Sequence, residues 1–332
     1  MNGQIVGHDW AVALLRQALA RGRTAHAYLL TGPPQIGKTK LGWSLAQALN
    51  CTGATPPCGS CPSCVKTLRR VHPDIHLVES QDNGRTIKID QIRTLRREAF
   101  LAPYEARYRV FILRRADRAS TEAANSLLKI LEEPPAHVVL ILTAVSADAL
   151  PSTVISRCQR LDLRPAAQQI VKNALLARGV DADTAQLLAR LSGGRVGWAF
   201  DAIEHESTME QRARDLDALY RVLSADCVQR FSFAQQTGRD SAGARRLLEV
   251  WMLWWRDLLL VCSQTETHVL NVDRIHELRA LAAQSNTTQA WQGLSALQET
   301  AAQLEDNVNT RLALEGLMLH LPRWQMTDGQ PV

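Results

Sequence analysis

The eight residues Gly32-Pro33-Pro34-Gln35-Ile36-Gly37-Lys38-Thr39 constrain the fold more tightly than any other stretch of this chain. They satisfy the spacing G-x-x-x-x-G-K-[ST], which works only where a buried strand runs into a loop and the loop runs into a helix. There the glycines let backbone N–H groups curl around a phosphate at the helix N-terminus. The Lys neutralises the outer phosphates, and the Thr places its hydroxyl on Mg²⁺. Both flanking elements are present: the apolar run Ala27 to Thr31 precedes the motif and a helical pattern starts near Lys40. Gly32, Gly37, Lys38 and Thr39 are therefore the candidate nucleotide-binding residues.

Up to about residue 163 short apolar runs alternate with helical patterns, as in a parallel sheet wound with helices. The spacing predicts strands over Ala27 to Thr31, Ile75 to Glu79, Arg109 to Leu113 and Val138 to Thr143. Helices are expected in Met1 to Arg21, in Gln91 to Leu101 with Asp90 as N-cap, and in Glu122 to Leu131 capped by Ser120 or Thr121. Pro134 and Pro135 stop the last of these. Beyond Pro165 apolar residues recur only at helical spacing, and the polar stretch His205 to Gln211 marks a boundary within an all-helical remainder. Its candidate helices are Arg212 to Leu223, Ala244 to Val261, Trp291 to Leu304 and Thr310 to Leu321.

A chain of 332 residues has room for two or three domains, and 46% hydrophobic with 21% charged residues excludes a disordered or collagenous protein. A net charge of +5 permits nucleic-acid contact without demanding it. With no long uncharged apolar run and no signal-like N-terminus, a cytoplasmic protein is expected.

A phosphate loop that hydrolyses its nucleotide needs an acid at the end of a neighbouring strand to hold Mg²⁺ and polarise water. The strand Arg109 to Leu113 instead runs into Arg114 and Arg115, and its first carboxylate, Asp117, comes later. Two cations there suit anions but repel Mg²⁺, so hydrolysis is not expected while the intact Lys38 and Thr39 leave ATP binding open; a return of Asp117 into the site is the alternative. Four of the seven cysteines, Cys51, Cys58, Cys61 and Cys64, follow C-x₆-C-x₂-C-x₂-C among turn-forming Pro and Gly residues. Four thiolates so spaced make a closed, structural zinc site, with unliganded thiols as the bland alternative. His72 and His76 are nearby spares. Arg157, in Ser156-Arg157-Cys158, lies past the fourth strand, where an Arg reaches a neighbour's phosphates or is simply a surface residue. Trp251, Trp254 and Trp255 share one helical face, as a core stripe or an interface. Arg93, Arg96 and Arg97 form either a solvated face or a DNA-facing one.

The phosphate loop with its leader His26-Ala27-Tyr28-Leu29-Leu30, the four-Cys insertion, His72-Pro73-Asp74, the run Ala123-Ala124-Asn125-Ser126-Leu127-Leu128-Lys129-Ile130-Leu131-Glu132-Glu133-Pro134-Pro135, and Ser156-Arg157-Cys158 together resemble the bacterial DNA polymerase III clamp-loader family, an AAA+ family. The resemblance is specific through about residue 200. It implies an α/β AAA+ P-loop domain over 1–163 with a zinc insertion at about 50–66, a three-helix lid over 164–208, and an all-α collar over 209–332. Arg114 and Arg115 replace the acidic pair of the tau/gamma motor branch, and Gly197 replaces its lid arginine. These departures fit the delta-prime stator branch. That branch would supply Arg157 to a neighbouring ATPase subunit, with tau/gamma, delta, the sliding clamp and primed DNA as partners. An active tau/gamma-type ATPase is one alternative, and a pure scaffold that has lost nucleotide binding altogether is the other.

Overall fold

The computed structural model describes residues 5–80, 86–305, 308–324, 326–327 and 330–331. The chain forms two compact units, one of residues Met1–Val180 with Gly193–Trp198, the other of Asp181–Ser192 with Ala199–Val332.

In the first unit α1 (Asp9–Ala20), β1 (Ala27–Thr31), α2 (Lys38–Leu49), α3 (Pro62–Leu68), β2 (Ile75–Val78), α4 (Ile89–Ala99), β3 (Arg109–Leu113), α5 (Thr121–Glu132), β4 (Val138–Ala144), α6 (Ser152–Ile155), β5 (Gln159–Asp162) and α7 (Gln168–Leu176) follow in order. The five strands form one parallel sheet in the order β2-β3-β4-β1-β5, with Leu29 of β1 opposite Leu142 of β4 and Arg160 of β5. Because strand side chains alternate between faces, the unbroken apolar runs of β1, β3 and β4 feed two cores. Tyr28, Leu30, Ile112 and Ile141 pack with Leu15, Leu41 and Leu45 on one face. Leu29, Phe111, Leu113 and Leu140 pack with Ile92, Leu95 and Leu127 on the other.

The expected strands all form, and Ser120 caps α5 by accepting the N–H of Ala123. Three local readings are corrected. No domain boundary falls at His205 to Gln211, because residues 206–211 are the first turns of one unbroken helix, Glu206–Ser224. Asp90 is not the N-cap of α4; Lys88 holds that position, and Asp90 sits in the first turn, where its charge meets the helix dipole. The edge strand β5 was not foreseen, because in Gln159–Asp162 only Leu161 is buried and four residues carry too little alternation to read.

In the second unit α8 (Ala182–Leu191) is followed by α9 (Val196–Glu204), whose first residues belong to the sheet-containing unit, and then by α10 (Glu206–Ser224), α11 (Cys227–Thr237), α12 (Ser241–Cys262), α13 (Ile275–Ala283), α14 (Thr287–Glu305) and α15 (Thr310–His320). Trp251, Trp254 and Trp255 are fully buried, so the stripe is core rather than interface. Trp251 Nε1–H donates to the Asp215 carbonyl at 2.8 Å and Trp254 meets Tyr220 edge-on. Arg230 is buried too, and its guanidinium donates to the carbonyls of Met318, Leu321 and Pro322, tying the end of α15 to α11. Buried Asp257 accepts the N–H groups of Leu270 and Asn271, and burial raises its pKa.

Candidate phosphate-loop site and cysteine cluster

The phosphate loop lies where β1 ends, at the carboxyl edge of the sheet, between β1 and α2. Gly37 caps α2 at φ 106° and Gly32 turns at φ 136°, both outside the range of ordinary side chains. A Cβ on Gly32 would stand 2.3 Å from the Leu163 carbonyl oxygen, so that position accepts nothing larger. Lys38 is 7% exposed, and its ammonium donates to the carbonyls of Gly32 and Pro33 rather than reaching outward. Burial, together with the nearby Arg115 charge, lowers its pKa to about 8, partly offset by Asp117. Thr39 is half-buried in the first turn of α2.

The two arginines after β3 part company. Arg114 turns to the sheet edge and pairs with Glu79 at 3.0 Å. Arg115 adopts a left-handed conformation, φ 58°, with its N–H donated to Thr143 Oγ1 and its guanidinium holding Asp117 Oδ2 through Nε and Nη2 at 2.8–2.9 Å. The pairing of two cations beside the phosphate loop is thus corrected to one, and Asp117 lies near enough to Lys38 for its charge to act on it. Its carboxylate is 5% exposed, and Oδ2 is engaged by Arg115.

Gly197, at the start of α9, donates its N–H to the Gln35 carbonyl at 2.7 Å, and a Cβ there would sit 2.6 Å from that oxygen. Backbone meets backbone at the spot where a long side chain would otherwise project. His8 adds a second clasp, its Nε2 lying 2.7 Å from the Ile36 carbonyl oxygen. Neither partner was legible beforehand, since both act on main-chain oxygens across the fold.

Arg157 follows the short α6 and is tethered: Nη2 lies 2.8 Å from Glu132 Oε1 at the end of α5, and Nη1 donates to the Thr153 carbonyl. Its side chain is about one-third exposed, at 35%. Arg93 pairs with Asp90 at 3.3 Å and Arg97 donates to Thr94 Oγ1, as on a solvated helix face.

The ligand atoms of Cys51, Cys58, Cys61 and Cys64 lie within 4.8 Å of one another and could hold a metal ion. The donor set fits: Cys51 Sγ accepts the N–H groups of Gly53 and Cys58, and Cys58 Sγ accepts that of Cys61, the N–H···S pattern that stabilises clustered thiolates. Burial works against ionisation of Cys61, yet the donors from Thr52 and Cys64 outweigh it and bring its thiol to about 5, while burial pushes Cys64 up. A Cβ on Gly53 would lie 2.8 Å from Cys58 Cβ, so only glycine admits this sulfur cage. Neither histidine joins it. His72 accepts the Asp74 N–H at Nδ1 and meets Ser63 Oγ at Nε2, and His76 stacks on Phe111.

The cage sits beyond the end of α2, on the amino-terminal side of the sheet, and Asp74 ties that side together. Its buried carboxylate accepts the N–H groups of Tyr104, Glu105 and Ala106 at 2.7–3.0 Å and faces Arg109 at 3.6 Å. Burial alone would raise its pKa, but these donors hold it below the ordinary carboxylate range.

A P-loop α/β unit with a cysteine insertion and an Arg-bearing edge segment, followed in sequence by a helical unit, defines the class of clamp-loader AAA+ subunits. A family model described as DNA polymerase III, delta subunit matches residues 7–167. DNA polymerase III subunit delta' of Bacillus subtilis is 31% identical over 313 residues, covering 93% of each chain, so this chain belongs to the delta' family of DNA polymerase III subunits. Subunit gamma/tau of Mycobacterium tuberculosis is 40% identical over 200 residues, but these span 58% of this chain and 34% of that protein. A solved gamma subunit-related protein from Thermotoga maritima aligns with 92% of this chain at a TM-score of 0.48 and 16% identity. Among the described residues no helix is long and apolar enough to cross a membrane.

Proposed function

We propose that this chain is the stator of a cytoplasmic DNA polymerase III clamp loader. It helps place the sliding clamp on primed DNA beside tau/gamma and delta subunits and offers Arg157 to the ATP of an adjacent motor subunit, without turning over ATP of its own. The observation that carries this reading is the Arg115–Asp117 pair. With Oδ2 held by an adjacent guanidinium, Asp117 keeps only Oδ1 for a cation, and the guanidinium's charge opposes Mg²⁺ there. The direct Gly197–Gln35 backbone contact supports it, since no lid cation can stand at that position. ATP would be held, if at all, by Lys38, Thr39 and the loop N–H groups, with Lys38 exchanging its carbonyl partners for phosphate oxygens. Segment 1–163 then serves as P-loop domain, and the helices after it as lid and collar. The cysteine cage holds a structural zinc. Val228 on α11 and Leu312 and Leu319 on α15, all exposed, supply apolar surface for collar neighbours.

A second reading, an active tau/gamma-type ATPase, rests on the intact Lys38 and Thr39 and on the nearness of Asp117 to Lys38. The purified chain separates the two: background ATPase fits the stator, whereas robust turnover abolished by Lys38→Ala establishes the motor. In the reconstituted loader Arg157→Ala should lower, without abolishing, the clamp- and DNA-stimulated ATPase. A finger is worth about 10³ to 10⁵ in well-studied GTPases, and a loader with several sites shows less. Normal assembly with both ATPase and loading at wild-type levels would remove the finger role.

A further inference from the structure

Away from the phosphate loop, a groove of about 1020 Å³ opens beside the cysteine cage, between the C-terminal ends of α1 and α2 on one side and the 105–108 segment on the other. It matches the upper end of the range for ligand pockets, about 300–1,000 Å³, and is large enough for several residues of extended chain. Its floor is rigid: Asn50 is buried and clasps the main chain of Tyr108 in both directions at 2.9 Å. One wall is the 51–57 segment, whose course is set by Cys51 Sγ accepting two backbone N–H groups.

The chemistry of the lining is lopsided. Arg16, Lys66 and Arg107 contribute three cations against the single carboxylate of Glu105, which Lys66 already engages at 2.6 Å. Among the described residues no carboxylate lies within ion-pair distance of Arg16 or Arg107, and Arg107 merely stacks over its neighbour Tyr108. The lining also includes Leu19 and the Pro56 and Pro57 rings. A phosphate polymer carries a negative charge at every repeat, more than the two guanidiniums left without a carboxylate can match, Glu105 being already held by Lys66. An extended peptide offers N–H donors as well, and its side chains point alternately to opposite sides.

From this charge complementarity we propose that the groove is a docking site for an extended partner peptide alternating acidic and apolar residues, the acids meeting Arg16 and Arg107 and the apolar side chains meeting Leu19 and the two prolines. The cysteine cage then has a purpose beyond local stability, because the segment it anchors forms the wall against which the peptide lies. Binding weakens with salt, as the cations are solvent-reached.

The test is fluorescence anisotropy of a labelled ten-residue peptide alternating Asp and Leu, titrated with the full chain. We expect saturable binding that the double charge reversal Arg16→Glu with Arg107→Glu weakens at least tenfold at unchanged melting temperature. Leu19→Ala should weaken it several-fold. Absence of binding at 100 μM protein, or binding indifferent to the double reversal, overturns the proposal. So does a labelled twenty-nucleotide oligo-dT that binds in place of the peptide and loses binding in the same double variant, since the surface would then read phosphates.

Discussion

Arg157 and Glu132 hold each other at 2.8 Å across the gap between α6 and the end of α5, and the same guanidinium donates to the Thr153 carbonyl. The arginine we propose for a neighbouring subunit's ATP is, in the single chain, bound to a carboxylate of its own. Exposed pairs of this kind are worth about 0–1 kcal/mol, so the tether restrains Arg157 without locking it.

Loosening that tether should therefore help the neighbouring site. Glu132→Gln in the reconstituted loader is expected to lower the ATP concentration for half-maximal ATPase about two- to fivefold, the equivalent of about 0.5–1 kcal/mol, with the melting temperature of the chain unchanged. An unaltered or raised requirement for ATP would show that Glu132 positions Arg157 rather than restraining it.

The cysteine cage should carry one zinc per chain, measurable by elemental analysis of the purified protein. Cys61→Ser or prolonged chelation should expose the 51–64 segment to protease while the circular-dichroism signal of the helices and sheet persists, since the cage lies outside both sheet cores. Cleavage throughout the chain at equal rates would contradict this local role.

Lys38 is kept against its preference. Its pKa in the fold, about 8, lies below the ordinary 10.5, so between these values the unfolded chain binds the extra proton and stability rises with pH. At pH 7 the fold bears the full cost of that buried charge. Lys38→Met is expected to raise stability by on the order of 1–2 kcal/mol at pH 7, less than the pKa change alone implies because two loop carbonyls lose their donor. The gain should shrink as the pH climbs past 8 toward 10.5. Chemical denaturation at pH 7 and pH 10 checks both points.

Asp74 has the opposite sign. Three backbone donors and Arg109 lower its pKa, so the stability it contributes is present above the normal carboxylate range and is lost as the pH falls through the depressed value. Asp74→Asn leaves buried donors half-served and should cost about 2–4 kcal/mol at pH 7, with the difference from wild type narrowing in acid. An equal loss at every pH would mean that shape rather than charge sustains the 104–106 segment.

Two helical glycines make a matched pair in the second unit. A Cβ at Gly293 of α14 would stand 2.4 Å from the Trp255 ring, whereas at Gly316 of α15 it meets nothing within 4 Å. Gly316→Ala should stabilise by up to about 1 kcal/mol through helix propensity. Gly293→Ala gains the same propensity but overpacks the tryptophan core, and a net loss of about 1–2 kcal/mol is expected in urea unfolding.

How much of this was legible beforehand follows from the range of the forces involved. The phosphate loop, the four-Cys spacing, the strands feeding a doubly covered sheet and the Ser120 cap could be read from the chain, because each is a local pattern: fixed spacing, unbroken apolarity, or a cap next to its helix. The Trp stripe could be placed on one helix face, but only the packing of α14 and Trp324 against it made that face core. The tertiary structure alone decided the rest. Arg114 and Arg115 are adjacent in sequence, yet a single left-handed residue sends one to Glu79 and the other to Asp117. The Gly197–Gln35 contact, the grip of Asp74 on residues 104–106, and the Glu132 tether join residues 25 to 162 positions apart. Such contacts form through backbone atoms and single charges that leave no periodicity in the chain. Their partners become neighbours only when the sheet brings its strand ends together.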